Sequence, residues 1–179
     1  DTEVCEIGES FTELITATFT VTVPSAKNLI HTRIGDTRSD AYHNGNMPGL
    51  TLATLAVDDG YVLYAGSGVA GGSMFKLTRY RDELDGIIVL NVSSGSVGYA
   101  VDLGVQCRAA NCMVLAAYAS PVATGTYLRS ALGEISNCVI AGWATGSAFG
   151  SSQLGIKYNN NVVTKCTNGL ASVSTVSGF

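Results

Sequence analysis

The chain has 179 residues, of which 46% are hydrophobic and only 13% charged, with a formal net charge of −4. That length fits one domain and that composition supplies a dry core. A negative balance without a basic stripe argues against nucleic acid as a partner, and no run approaches the ~18 apolar residues of a membrane span.

Residues 1–9 are acidic and short of apolar side chains. Ser10 and Glu13 have the spacing of a capping box, and Phe11, Leu14, Ile15, Thr18 and Phe19 fall on one helical face. The pattern predicts a short amphipathic helix over about 11–18, placed as a plug on the open end of a repeat array. Thr20-Val-Thr-Val23 alternates and stops at Pro24, as an edge strand does. Leu29 to Ile34 reads as a further strand, and 36–49 as a loop with turn signals at Asn44-Gly45 and Pro48-Gly49. Residues 1–49 are therefore expected to form an N-terminal cap, 50–171 a regular array, and 172–179 a tail that ends the array or pairs with a neighbouring subunit. The start at Asp1, without a Met or a visible signal peptide, is the expectation for a processed product.

The array is a repeat. Asn137-Cys-Val-Ile-Ala-Gly-Trp-Ala-Thr-Gly146-Ser-Ala148 returns 23 residues later as Asn160-Asn-Val-Val-Thr-Lys-Cys-Thr-Asn-Gly169-Leu-Ala171. Going backwards, Asn111-Cys-Met-Val-Leu, Asp85-Gly-Ile-Ile-Val and Asp59-Gly-Tyr-Val-Leu start at 26-residue intervals. A second column reads Met74 to Leu77, Ala100 to Leu103 and Thr126 to Arg129, and Gly155 to Tyr158 is expected to continue it. About 23 to 26 residues at ~3.3 Å each make one coil of a solenoid, whose successive coils stack as parallel strands ~4.8 Å apart. One strand parity holds Val62, Ile88, Val114, Ile140 and Val163 and is assigned inward. The other holds Tyr61, Ile87, Met113, Val139 and Val162 and is also apolar, so the outer face is expected to be covered on at least one side. Asp59, Asp85, Asn111, Asn137 and Asn160 form a corner ladder, because Asx side chains tolerate left-handed backbone and bond to nearby groups.

The pattern Asn137-Cys-Val-Ile140 resembles the right-handed parallel β-helix superfamily of pectate lyases, pectin-acting hydrolases and phage tailspikes, in which an Asn ladder lines a corner. Gly8-Glu-Ser-Phe-Thr-Glu-Leu14 is similar to the segment that precedes the first coil of short β-helix proteins of phage and environmental origin. The resemblance implies an all-β, right-handed parallel β-helix of about five coils with a short N-terminal capping helix.

Five cysteines, Cys5, Cys107, Cys112, Cys138 and Cys166, leave at least one thiol unpaired. Cys112 and Cys138 share a column at a separation that admits a disulfide, and a stack of buried thiols acting as small hydrophobes is the favoured alternative. His31 and His43 lie far from the cysteines, so no metal site and no cofactor is expected.

Catalysis on this superfamily needs close carboxylates or a calcium site. Asp58, Asp59, Asp82, Glu83, Asp85, Asp102 and Glu134 are the candidates, but Asp59 and Asp85 belong to the corner column, and Asp82 and Glu83 to a charged turn. No catalytic residue is assigned. Lys76 and Asp102 occupy equivalent positions and predict a cross-strand ion pair. Trp143 and Tyr61, Tyr64, Tyr99, Tyr118, Tyr127 and Tyr158 are candidates for a sugar-stacking platform or for packing. Asn91-Val-Ser93 fits a glycosylation sequon. The resemblance and the lack of a catalytic motif lead to a structural virion protein, a phage capsid-decorating one first. Its partners would be other capsid copies and itself as a homo-oligomer, with glycan as a further candidate. The alternative is a polysaccharide lyase or hydrolase, or a tailspike-like carbohydrate-binding protein.

Overall fold

The computed structural model describes residues 3–5, 12–15, 17–21, 32–34, 62–65, 72–78, 81–92, 97–117, 123–129, 131–150 and 155–172. In chain order the strands come in threes. The first set is β1 (Glu3–Cys5), β2 (Thr12–Ile15) and β3 (Phe19–Val21), and the second is β4 (Thr32–Ile34), β5 (Val62–Ala65) and β6 (Ser73–Leu77). Then come β7 (Glu83–Asp85), β8 (Ile88–Asn91) and β9 (Tyr99–Leu103), and β10 (Arg108–Ala110), β11 (Met113–Ala116) and β12 (Thr124–Leu128). The last sets are β13 (Glu134–Ser136), β14 (Val139–Ala141) and β15 (Thr145–Phe149), and β16 (Lys157–Asn159), β17 (Val162–Thr164) and β18 (Asn168–Ser172).

Every third strand pairs in parallel, which gives three sheets of six strands. The order β1-β4-β7-β10-β13-β16 makes the first, and the second and third obey the same rule. This is a parallel β-solenoid, and no helix occurs among the described residues. Residues 81–150 comprise about three turns described almost without a break, where about five coils were expected for 50–171. Further strands of the same sheets lie on either side.

The helix expected over about 11–18 is not there: Thr12–Ile15 is a strand that pairs with Val62–Ala65. The segment holds Ile15 and three threonines, whose branched side chains fit a pleated sheet better than a helix. The helical spacing of Phe11, Leu14 and Ile15 is overridden by that pairing.

The corners result from backbone handedness. Between the first and second sheets the last four turns have two residues each, and the first of them has positive φ: Gly86 (74°), Asn111 (53°), Asn137 (55°) and Asn160 (52°). A second file of positive φ stands two residues before each of the last four first-sheet strands, at Arg81 (68°), Gln106 (59°), Leu132 (61°) and Gly155 (69°). Left-handed backbone costs an ordinary residue ~1–2 kcal/mol. It persists here because the stacked strands on both sides dictate where the chain must turn.

The first file corrects the expected register. Ile88 lies beside Met113, and Met113 beside Val139, so Asn111 stands over Gly86 rather than over Asp85. A slip of one residue exchanges the two faces of a strand. Ile87 and Val89 therefore line the main core with Cys112, Val114, Cys138 and Ile140. Ile88, expected inward, joins Leu90, Met113, Leu115 and Ala141 in a second buried cluster. Both faces of β8 and β11 are thus buried, in keeping with their apolar residues on both parities, whereas Val162 on β17 is exposed. The second column slips in the same way, with Val101 beside Thr126. Lys157–Asn159, which overlaps the stretch Gly155 to Tyr158 expected to continue that column, pairs in the first sheet with Glu134–Ser136. The third sheet is continued by Thr145–Phe149 and Asn168–Ser172. The match between Asn137 to Ala148 and Asn160 to Ala171 holds position by position, with Val139 on Val162 and Ala148 on Ala171.

Trp143 is fully buried in the main core and donates Nε1–H to Val114 O at 3.0 Å. Gly125 makes room for it, since a Cβ there would stand 2.9 Å from the indole Cδ1 and 2.7 Å from Gly146 O. Cys112 and Cys138 are neighbouring free thiols, and each turns its S–H to the carbonyl two residues back, at 3.0 and 3.3 Å. Burial pushes the Cys112 thiol pKa up.

Leu132 combines a φ of 61° with 54% exposure, so it bears backbone strain with little burial in return. Leu132→Asn is expected to raise unfolding stability by about 0.5–1 kcal/mol, read as a shift of the urea midpoint at unchanged slope. Leu132→Val should lower it.

Candidate functional site

Side chains tie each turn to the next along three lines. At the first corner Asn111 Nδ2 donates to Asp85 Oδ1 (2.7 Å), Asn137 Nδ2 to Asn111 Oδ1 (3.2 Å), and Asn160 Nδ2 to Asn137 Oδ1 (2.8 Å). Asp85 supplies its oxygen from the last strand position, one residue before the glycine that takes the left-handed turn. Asp59 lies outside the described residues. On the first sheet Arg108 stands between Glu83 (2.7 Å) and Glu134 (3.3 Å), the residues on either side of it in register. Inside the third sheet Thr126 Oγ1 and Ser147 Oγ lie 2.7 Å apart, and the Tyr158 hydroxyl is 3.0 Å from Ser147.

The chemistry on the outside gathers at the third sheet. Asp102 is fully buried, yet three donors meet its carboxylate. Arg129 gives it two parallel bonds of 2.6 Å, from Nε and Nη2, and Ser73 Oγ donates at 3.0 Å. Arg129 is 44% exposed on its side chain and covers the carboxylate from the solvent side. The bonds to Asp102 hold the guanidinium more firmly protonated than usual. Its Cζ lies 5.3 Å from the ring centroid of Tyr127 and 5.9 Å from that of Tyr99. The two rings stack at 4.5 Å and 14°. Lys76 sits beside Asp102 in register. The expected Lys76–Asp102 pair gives way to Arg129, whose planar fork meets both carboxylate oxygens at once. Lys76 has no ion-pair partner among the described residues.

Beside this cluster runs a groove of about 340 Å³ lined by Thr18, Thr20, Gly72, Ser73, Lys76, Tyr99 and Arg129. Its lining mixes hydroxyls, an aromatic ring and two cations. Among the described residues, Tyr99 and Tyr127 are the aromatic platform candidates placed here. Trp143 is in the core, and Tyr158 is half-buried with its ring edge-on to Phe149 at 5.7 Å. Burial pushes the Tyr158 hydroxyl pKa up. Tyr61 and Tyr118 lie outside the described residues, as do Asp58, His31, His43 and the Ser93 of the sequon, and Tyr64 is described only as part of β5. Arg129 was not singled out in the sequence, although it ends the Thr126 to Arg129 segment of the second column. Nothing in the sequence pairs it with Asp102, 27 residues away.

Asp82, Asp85 and Asp102 are buried, and Glu83 and Glu134 grip Arg108. An acid/base pair needs one protonated and one ionised carboxyl open to substrate, and these five described carboxylates do not form one. No family model, no curated protein and no solved structure matches the chain. The parallel β-solenoid thus stands on its own geometry.

Asn137→Gly removes the amide but keeps a residue at ease with positive φ, whereas Asn137→Ala removes both. Chemical denaturation is expected to rank Ala below Gly by about 1 kcal/mol. Arg129→Met strands a buried carboxylate and should cost roughly 2–3 kcal/mol. Adding Asp102→Asn should recover more than half of that loss, and a double variant no more stable than the single one would refute the pairing.

Proposed function

We propose that the chain is a structural protein of a virion, a phage capsid-decorating protein of the short right-handed β-helix kind, acting in many symmetric copies. The observation that supports it is the engagement of polar side chains in ties between turns. Asp85–Asn111–Asn137–Asn160, Glu83–Arg108–Glu134 and Ser73–Asp102–Arg129 all fasten one coil to another. Charge used this way stiffens a rod and leaves little for turnover chemistry. The two buried faces of β8 and β11 add rigidity. Quantitative mass spectrometry of purified particles from the source is expected to find the protein in fixed ratio to the main shell protein. Particles that contain none, or only traces, would refute the reading.

A second reading, carbohydrate binding, is favoured by the groove on the third sheet. Its hydroxyls and its pinned tyrosine are the groups that meet sugar hydroxyls and sugar ring faces. The two readings are compatible, because a particle surface is where a glycan is met.

A further inference from the structure

Among the described residues, the last coil is built like an inner one and left uncovered. β16, β17 and β18 end the three sheets, so each has one neighbour where the strands before it have two. The file Phe75, Val101, Thr126 and Ser147 is buried throughout, and its next member, Leu170, is 52% exposed. Ile88 and Met113 are buried in their file, and Val162 at its end is 56% exposed. Ile156, Tyr158, Val163 and Cys166 are only partly buried where they close the main core. The glycines show that the open space has the form of a coil. A Cβ on Gly125 would stand 2.7 Å from Gly146 O, and one on Gly146 would stand 2.7 Å from Gly169 O. On Gly169, next in that file, a Cβ would meet no atom within 4 Å. An unpaired strand edge of this kind is a template for another strand.

The charges say which strand fits. On the first sheet the sign alternates coil by coil through Glu83, Arg108, Glu134 and Lys157, and the next place in that file calls for a carboxylate. The chain has no acidic residue after Glu134, and its last coil carries Lys157 and Lys165, both exposed. Residues 1–21, which include β1, β2 and β3, hold the five carboxylates of Asp1, Glu3, Glu6, Glu9 and Glu13 and no Lys or Arg. Those three strands are the opposite end strands of the same three sheets. The two ends of the solenoid therefore match in sheet layout and oppose each other in charge.

We propose that the last coil of one molecule takes the first coil of a second copy, β1 on β16, β2 on β17 and β3 on β18, so that copies stack head to tail. Each end strand gains the parallel partner it lacks, and Leu170 and Val162 are covered. Two like ends repel, whereas unlike ends attract. A face that fits the opposite end and not itself makes a heterologous contact, which builds an open line of copies and not a closed pair. Stacking is independent of the virion reading, since purified protein alone shows it.

Sedimentation velocity of the full chain is expected to give a mean mass that rises with concentration past that of a dimer and falls as salt rises. Gly169→Leu puts its side chain into open space, so at a dilution where both proteins are single chains it should unfold no earlier than the parent. The same side chain occupies the place of the next coil's backbone and should hold the mass at one chain at every concentration. Lys157→Glu with Lys165→Glu should also abolish growth. Mixing that variant with a Glu3→Lys, Glu6→Lys, Glu9→Lys variant should restore it, which a damaged fold would not allow. A constant dimer mass would overturn the head-to-tail order. Growth unmoved by Gly169→Leu would overturn this end as the contact. A single-chain mass at every concentration would overturn stacking altogether: slow amide exchange on β16, β17 and β18 would then give the cover to residues 173–179, and fast exchange would leave the edge bare.

Discussion

Parallel strands stacked in register are the constraint on which the rest of this molecule depends. A strand can bond to the strand below only if its coil turns at the same places. Each coil must therefore bend where its neighbours bend, whatever residues it has there. The two longest files of positive φ record this demand. At one corner the chain meets it with glycine and asparagine. At the other it uses arginine, glutamine, leucine and glycine, three of which resist left-handed backbone. Hydrogen bonds on both sides of the corner outweigh the local preference, at ~1–2 kcal/mol for each poorly suited residue.

The same stacking explains how a chain with so few charges uses them. Equivalent residues on successive coils lie within hydrogen-bond reach, so a donor on one coil finds an acceptor on the next. The amide of asparagine, with donor and acceptor on one group, can repeat indefinitely along such a file. A like-charged file of carboxylates would repel, and the first sheet avoids it by placing Arg108 between Glu83 and Glu134. That triad is partly exposed and contributes little net stability. The Asp102–Arg129 pair is different, because its carboxylate is wholly buried. Its bonds are needed to offset desolvation, and they fix the orientation of everything stacked around them.

The period, the strands and the Asn corner were legible in the sequence because they are written in residue types that physics restricts to those places. Val and Ile mark strands, and Asn marks a left-handed turn. The register was legible to within one residue, and the error has a cause. Asp85 and Gly86 share between them the two jobs that Asn111 does alone: Asp85 gives the oxygen and Gly86 the backbone. Aligning by the acidic letter therefore shifted the strand by one and turned Ile88 inward. The second corner was not legible, since Arg81, Gln106 and Leu132 carry no local mark of positive φ. The groove was legible only as separate tyrosines and a lysine. What joins them is the bond from Arg129 to Asp102, which depends on how the coils stack and not on any local pattern.

The two corners show what the Asn file contributes beyond shape. If tolerance of left-handed backbone were all that was needed, glycine would serve at every turn of the file, as it does at Gly86. The second corner turns as sharply with side chains that make no such file. The asparagines therefore do a second job, which is to carry hydrogen bonds from coil to coil at the surface, where Asn137 and Asn160 are exposed. Those amides face water and lose little by bonding to one another, so each bond adds only a small net stability. Their effect is on slippage. Sliding one coil by a residue would break every amide pair in the file and expose an apolar face of the second sheet at the same time. A solenoid of short strands, three to five residues each, has few backbone bonds per strand to resist such a slip. The ladder supplies the missing resistance, and it does so at the corner, where the backbone alone fixes register least.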